Sequence, residues 1–568
     1  MSSKRFVRDE RQCIIYTDNK ICNSKRDVLH SDLFEDMVGL FVRELVYRDP
    51  RLLAAVGLDL TEMSGLRQLL SILRALDEHS LEQLTSILPA ADVFLEPQGR
   101  AALHKFVEQL YNYWRSRDRY IVLLVEPGPG NCRGQRPHRA FNDTLIGLGH
   151  HIRSLYRNVC ENITGDHPRI YRHVAAGCKV GLVAVSGHCE LPSVYETLLG
   201  KIPLVRQVWF TPPMILNFPV GLRSDQLLRI DGNPLPSLAL QQEDWLCYPA
   251  QVGHAVVFIF FHQQVIGRGV SLANLFELAT DDQIAAGPDA VGLFGVSSQH
   301  MEQFGDSSAV CFDDRDNDLL VAAISLEDYQ DSFGCLKDMA LTLHNIIMVR
   351  RGRLPFHGSL VNICFRKEEY RKTVLVIGDK RTEILAALRS SDSSAVIEMS
   401  IIADDTGSLM IGDGGSVVGS GTGCGVLLRL DMLQEGDTCK QMDRAIFMNP
   451  QASTGRVLLP VNTIEEVLKG YGIDLLLLVS APEATGAAHP PVEMLEDSEQ
   501  ALRVFSTLQN RLFSSSGMRQ YEKHKEELAG NIFREALQSA CRIAHLRTGR
   551  NWPDADVRDV IKLIEADA

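Results

Sequence analysis

Three regimes of hydrophobic spacing follow one another along the chain. Between residues 30 and 120 the apolar positions recur at helical spacing, first Leu66, Leu69, Leu70 and Leu73, then Leu81, Leu84, Ile87 and Leu88. This predicts amphipathic helices packed on one another. Such a stripe needs packing and no chemistry to explain it. At Tyr120 the pattern shifts to short apolar runs. Residues 120–125 read as a strand entering the Gly/Pro loop EPGPGNCRG, and residues 180–185 and 255–260 read as further strands set among turns and short helices. The sum is a mixed α/β region. Residues 481–497, rich in Ala, Pro and Glu, read as a linker. From 498 to 548 the helical period returns, with Ile532, Phe533, Ala536, Leu537, Ala540 and Ala544 on one face. Asn551-Trp552-Pro553 breaks it before a last helix at 554–566. No internal repeat is visible.

Composition narrows the class. A chain of 568 residues with 45% apolar and 23% charged residues has ample material for two to four domains with real cores. A formal charge of −14 argues against a nucleic-acid backbone binder. The most apolar stretch, 255–261, is far too short for a membrane span, and the start MSSKRFVRDERQC lacks the apolar core of a secretion signal. The 13 cysteines are scattered singly, with no Cys-x-x-Cys pair. Reduced thiols in a cytoplasmic protein are expected, and a disulfide framework or zinc site is not.

The densest candidate chemistry lies between residues 374 and 409. Val374-Leu375-Val376-Ile377-Gly378 is a short apolar run ending in Gly, as a buried strand entering a tight turn would be, and Ile384, Leu385 and Leu388 follow at helical spacing. A phosphate-binding loop would place GxxxxGK[ST] between them. Here the turn is only Gly-Asp-Lys-Arg-Thr-Glu, without the second Gly, and Asp379 stands where a phosphate would be unwelcome. Gly378, Arg381 and Thr382 are the phosphate-binding candidates that survive. Ile401-Ile402-Ala403-Asp404-Asp405 then reads as a second strand delivering two carboxylates at its end, a way to hold a hard divalent cation beside a phosphate.

The succession PFHGSLVNI (355–363), VLVIGD (374–379), IIADDTGSL (401–409), GTGCGVLLRLD (421–431) and DRAIFMNPQASTGRVLLP (443–460) resembles the phosphoenolpyruvate carboxykinase superfamily, especially its atypical, pyrophosphate-linked members. Upstream, 136–165, 170–181 and 271–279 are similar to the substrate lobe of those enzymes. The resemblance covers roughly residues 100–480. It implies an α/β fold of two lobes with mixed sheets and helical amino- and carboxy-terminal segments. The implied divisions are a helical region at 1–118, a substrate-lobe-like domain at 119–345, a phosphate and metal domain at 346–480, the linker, and a helical region at 498–568.

The resemblance also implies roles. His357, Asp404 and Asp405 match metal ligands for Mg2+ or Mn2+, Arg456 matches a phosphate-facing Arg, and Arg172 and Lys179 match residues that hold a dicarboxylate or enolpyruvate. The glycine-rich loop does not match. Nor does any stretch beyond about residue 482 resemble the segments that clamp a purine in such kinases. A nucleotide is therefore not expected, and the implied activity is metal-dependent interconversion of oxaloacetate and phosphoenolpyruvate with pyrophosphate or phosphate. The alternative is an inactive homologue acting as a regulatory or assembly subunit through its helical ends, with a protein partner or a second copy. A metal-dependent kinase of another substrate on the same scaffold is a third reading.

Other clusters have bland readings beside sharp ones. The acidic run Cys311 to Asp318 reads as a solvated loop rather than a calcium loop, since it lacks the spaced Gly and terminal Glu. His150-His151 on a helix do not make a ligand set. Arg350, Arg351 and Arg353 either gather an anionic substrate or finish a helix. The glycines at 412, 414, 415, 419, 421, 423 and 425 are either a hairpin with a tight turn or a replacement phosphate cradle.

Overall fold

The computed structural model describes residues 6–8, 13–16, 24–116, 120–126, 137–165, 180–186, 190–211, 214–217, 227–238, 240–304, 308–325, 333–365, 370–378, 384–385, 396–430, 444–480, 492–509, 519–547 and 560–564. The fold is mixed α/β, with several sheets of mixed strand direction. It divides into two compact units, one of Met1–Ser186 with Val205–Thr211, the other of Gly187–Leu204 with Pro212–Ala568. The division falls inside the stretch 119–345 that the sequence treats as one domain. The strand Val180–Val185 explains it, because it pairs in parallel with Tyr120–Glu126 and belongs with the amino-terminal elements.

The first unit is a helical layer with a sheet. Its helices bury the expected stripes: Leu69, Leu70 and Leu73, with Leu81 and Leu84, are almost fully enclosed together with Phe41, Phe106 and Trp114. Capping fixes several helix starts. The Ser31 hydroxyl accepts from the Phe34 N–H at the start of Asp32–Arg48, and Ser80 and Gln83 form a reciprocal capping box at Leu81–Thr85. The longest helix, Pro137–Thr164, lies against Pro97–Ser116, with Tyr111 stacked on Tyr156. His150 on that helix is exposed.

In the second unit one sheet runs in the order Trp245–Val252, Ala255–His262, Ala290–Val296, Leu319–Ser325, Ala309–Asp314, Leu228–Ile230. The parallel strands Ala255–His262, Ala290–Val296 and Leu319–Ser325 are apolar on both faces, as burial on both sides requires. One of those faces is covered by the helix Phe333–Arg350, itself buried around most of its circumference. At Gly292 a Cβ would stand 2.6 Å from the Met339 methyl, so a side chain there would have to displace the end of the Met339 side chain. The acidic run Cys311 to Asp318 is a strand and turn of the hairpin Ala309–Asp314 with Leu319–Ser325.

Beyond that helix two smaller sheets carry the stretches singled out by the sequence. Leu354–His357 pairs antiparallel with Thr406–Ile411, which pairs with Val417–Gly421 and then Tyr471–Gly472. The second sheet runs Val396–Ala403, Ser359–Phe365, Arg371–Gly378, Leu475–Ser480, Arg542–Arg547, Val492–Met494. Arg371–Gly378, Leu475–Ser480 and Arg542–Arg547 are parallel, so their carboxyl ends share one edge.

Two expectations change here. The region 498–548 is not helical throughout: the helices Ser498–Gln509 and Arg519–Gln538 are followed by the strand Arg542–Arg547, in which Ala544 and Leu546 are core residues. Parallel pairing with Leu475–Ser480 decides the conformation, so this segment is part of the same unit as 346–480 rather than a separate helical region. Of the proposed linker, 481–491 lies outside the described residues, while Val492–Met494 is an edge strand. The glycine run resolves as the hairpin. Gly414 and Gly415 take positive φ in its turn, and a Cβ on Gly421 or Gly425 would stand 2.4 Å from the Ile402 carbonyl oxygen or 1.9 Å from that of Asn274. Turn geometry and close backbone approach account for these glycines without a phosphate.

Candidate metal and phosphate site

The strand Leu354–His357 ends on His357, whose register partner in the neighbouring strand is Thr406. Asp404 and Asp405 fill the bend between the strands Val396–Ala403 and Thr406–Ile411, so pairing brings the imidazole beside the acidic pair across 48 positions of sequence. His357 Nδ1 lies 3.1 Å from Asp405 Oδ1. The other oxygen of the same carboxylate receives the ammonium of Lys337. Asp404 is held differently, its Oδ1 accepting from the Ser359 hydroxyl at 3.1 Å.

The backbone here is fixed closely. Gln509, almost fully buried, bridges His357 by accepting from its N–H and donating to its carbonyl, each at 3.0 Å. The Gly358 N–H donates to the Asp405 carbonyl, and a Cβ on Gly358 would press to 2.6 Å on the Val376 carbonyl. Ser359 pairs with Val376, two residues before Gly378, so the acidic pair sits beside the carboxyl end of the strand that leads into the shortened loop. Gly378 itself has φ +138° and no room for a side chain, since a Cβ would meet the Val479 carbonyl at 2.0 Å. Arg381 and Thr382 lie outside the described residues, as do Arg172 and Lys179.

Electrostatics centre on Lys337. Burial works against its charge, but the carboxylates of Asp405 and then Asp338 outweigh burial and hold its pKa above the ordinary lysine value. The charge of Arg456 also reaches it and opposes protonation. Arg456 opens the strand Arg456–Pro460 and is exposed. Thus His357 and Asp405 come together, Asp404 is engaged separately by Ser359, and Arg456 lies within electrostatic reach of the same lysine. Lys337 is the member that sequence reading missed. It is the only lysine on a helix that is buried around most of its circumference.

The site is open to solvent, with side-chain exposure of 29% for His357, 31% for Asp405 and 15% for Lys337. An imidazole and a carboxylate are donors that a divalent cation with mixed nitrogen and oxygen preference accepts, but His357, Asp404 and Asp405 do not bring three ligand atoms within 4.8 Å of one another. Lys337 supplies a positive charge to Asp405 and, if deprotonated, would offer a nitrogen donor at the same carboxylate that His357 meets.

The arginine cluster nearby serves the fold. Arg350 pairs with Asp313 and Arg351 with Asp289, while Arg353 reaches Ser408 and Met410. Their guanidinium groups are engaged by the protein itself, which favours the helix-end reading over substrate capture.

No protein-family model matches the chain, and no curated protein matches it in sequence.

Proposed function

We propose that the second unit is a carboxykinase-like catalyst that interconverts oxaloacetate and phosphoenolpyruvate with pyrophosphate or phosphate as the phosphoryl partner. The observation that carries this reading is the sharing of one carboxylate, Asp405, between Lys337 and His357 at the carboxyl edge of the strand ending in Gly378. The expected two-lobed carboxykinase architecture is consistent with that placement. Lys337, His357 and Asp405 would hold a Mg2+ or Mn2+ ion. When bound, that ion would supply Lewis-acid stabilisation of enolate and phosphoryl oxygens. Asp404, fixed by Ser359, keeps a second carboxylate at the rim, and Arg456 offers a charge to a phosphoryl group arriving from solvent. A small phosphate donor is favoured because only residues 379–383 separate Gly378 from the buried Ile384, too few for a full phosphate-cradling loop.

The test is direct. Purified protein with Mn2+, oxaloacetate and pyrophosphate is expected to form phosphoenolpyruvate, with less or none from ATP or GTP, and Asp405→Asn is expected to abolish the reaction. Metal binding without turnover with any of the three donors would overturn the catalytic reading in favour of a regulatory subunit.

A further inference from the structure

Two helices of the first unit place four metal-competent side chains face to face. Pro97–Ser116 presents His104 and Glu108 one turn apart, and Pro137–Thr164 presents Tyr156 and Cys160 one turn apart. A ligand nitrogen of His104, a carboxylate oxygen of Glu108 and the sulfur of Cys160 lie within 4.8 Å of one another. His104 Nε2 is 3.8 Å from Glu108 Oε1, beyond hydrogen-bond distance, and it is buried without a hydrogen-bond partner. Glu108 accepts a short hydrogen bond from the Tyr156 hydroxyl, and Tyr156 is held by stacking on Tyr111 at 4.2 Å. Among the described residues, this is the one group of three or more His, Cys, Asp or Glu residues with its ligand atoms so close.

From this geometry we infer a zinc-class metal site that staples the two helices through His104, Glu108 and Cys160, independent of the carboxykinase-like reading. The donor set selects the metal. A sulfur with an imidazole and a carboxylate suits Zn2+ and is poor for Mg2+ or Mn2+, which prefer oxygen. Tetrahedral bond lengths of about 2.0–2.3 Å imply ligand separations of about 3.3–3.7 Å, so the trio needs to contract by about 1 Å, within reach of side-chain rotation on two rigid helices. The fourth position falls to the Tyr156 oxygen or to water. Access is graded: the His104 and Glu108 side chains are 31% and 37% exposed, while Cys160 is fully buried beneath them. An ion therefore enters over the imidazole and carboxylate and meets the sulfur last.

Thiol chemistry gives the site a signature. An uncoordinated cysteine thiol is mostly protonated at neutral pH. Metal capture forms the metal–sulfur bond and releases that one proton to solvent, with no change in oxidation state.

The experiment is a Co2+ titration of the full-length chain after chelator treatment, with Co2+ as the coloured stand-in for Zn2+. The expected result is a near-ultraviolet sulfur-to-cobalt absorption that saturates at one equivalent, is erased by Zn2+ and is accompanied by proton release. Cys160→Ser should lose the absorption. His104→Gln, a change on a partly exposed side chain that leaves the fold intact, should weaken Co2+ binding by at least about tenfold. His357→Gln should leave the absorption unchanged, because the other site has no sulfur. An absorption that is absent at millimolar Co2+, survives Cys160→Ser or keeps its affinity in His104→Gln would overturn the assignment and leave a Tyr–Glu hydrogen bond as the cluster's whole role.

Discussion

The helix Phe333–Arg350 carries an ion cluster at each end, and the two differ in a way that separates architecture from chemistry. At its carboxyl end Arg350 reaches Asp313, whose second oxygen accepts from the Tyr521 hydroxyl at 2.6 Å and pairs with Arg315. The Asp313 side chain is only 4% exposed. Burial opposes its ionisation, yet the Tyr521 hydrogen bond and the arginine charges keep its carboxyl below the ordinary value. A cation in the last turn also suits the helix dipole. At the amino end Lys337 stands just past the first turn, where the dipole disfavours a cation, and its carboxylate partner is 31% exposed and shared with an imidazole. The first cluster is closed and matched to its helix. The second spends helix stability on an arrangement that solvent and small ions can reach.

That contrast can be broken experimentally. The largest effect is expected from Asp405→Asn, which should lower metal-dependent turnover by on the order of a hundredfold or more, as loss of one charge-stabilising group in an active site does, together with a loss of stability from leaving the mostly enclosed Lys337 without its main counter-charge. Equal activity in the variant would remove the open cluster from the mechanism. Arg350→Ala should spare turnover, costing about 3 kcal/mol in chemical denaturation because the nearly enclosed Asp313 loses its main counter-charge. An unfolding free energy unchanged within error would show the closed cluster to be incidental.

Tyr521→Phe probes the same cluster more gently. Removing a donor to a buried carboxylate should cost about 1.5 kcal/mol and leave metal-dependent turnover unchanged. The subtlest effect is in pH. Because the Lys337 pKa is raised, its pairing stabilises the metal-free protein fully at neutral pH and loses that contribution as pH climbs past the ordinary lysine value toward the raised one. A metal that takes the neutral amine must expel a proton, so Mn2+ affinity should rise about tenfold per pH unit above the histidine range, read by calorimetry. A flat profile would exclude Lys337 as a ligand.

Much of the open cluster is legible in the sequence. His357 and Asp405 each stand where an apolar run meets small or acidic residues, so each is marked locally even though 48 positions separate them. Their meeting rests on the pairing of Leu354–His357 with Thr406–Ile411, which a resemblance can suggest and hydrophobic period cannot. Lys337 escapes because its importance comes from the packing around it: on a solvent-facing helix the same lysine would mean nothing. The His104, Glu108 and Cys160 group escapes for a related reason, since each helix shows only half of it. Arg542–Arg547 escapes because Ala536, Ala540 and Ala544 recur at helical spacing, and the sequence RIAHLR is short enough for strand pairing to override that period. The glycines of 412–425 are visible as a cluster, but their cause, backbone pressed on backbone, is a tertiary fact.

That late strand sets an order of events during synthesis. Leu475–Ser480 is apolar along nearly its whole length and is flanked by Arg371–Gly378 on one side and Arg542–Arg547 on the other. While a ribosome is still making the intervening helices, the nascent sheet ends in a naked edge of leucines, a template for pairing with any neighbouring chain. A message cut short before Arg542 would yield a sticky intermediate rather than a smaller working protein, and a cell making this chain has reason to shield that edge until the closing strand emerges.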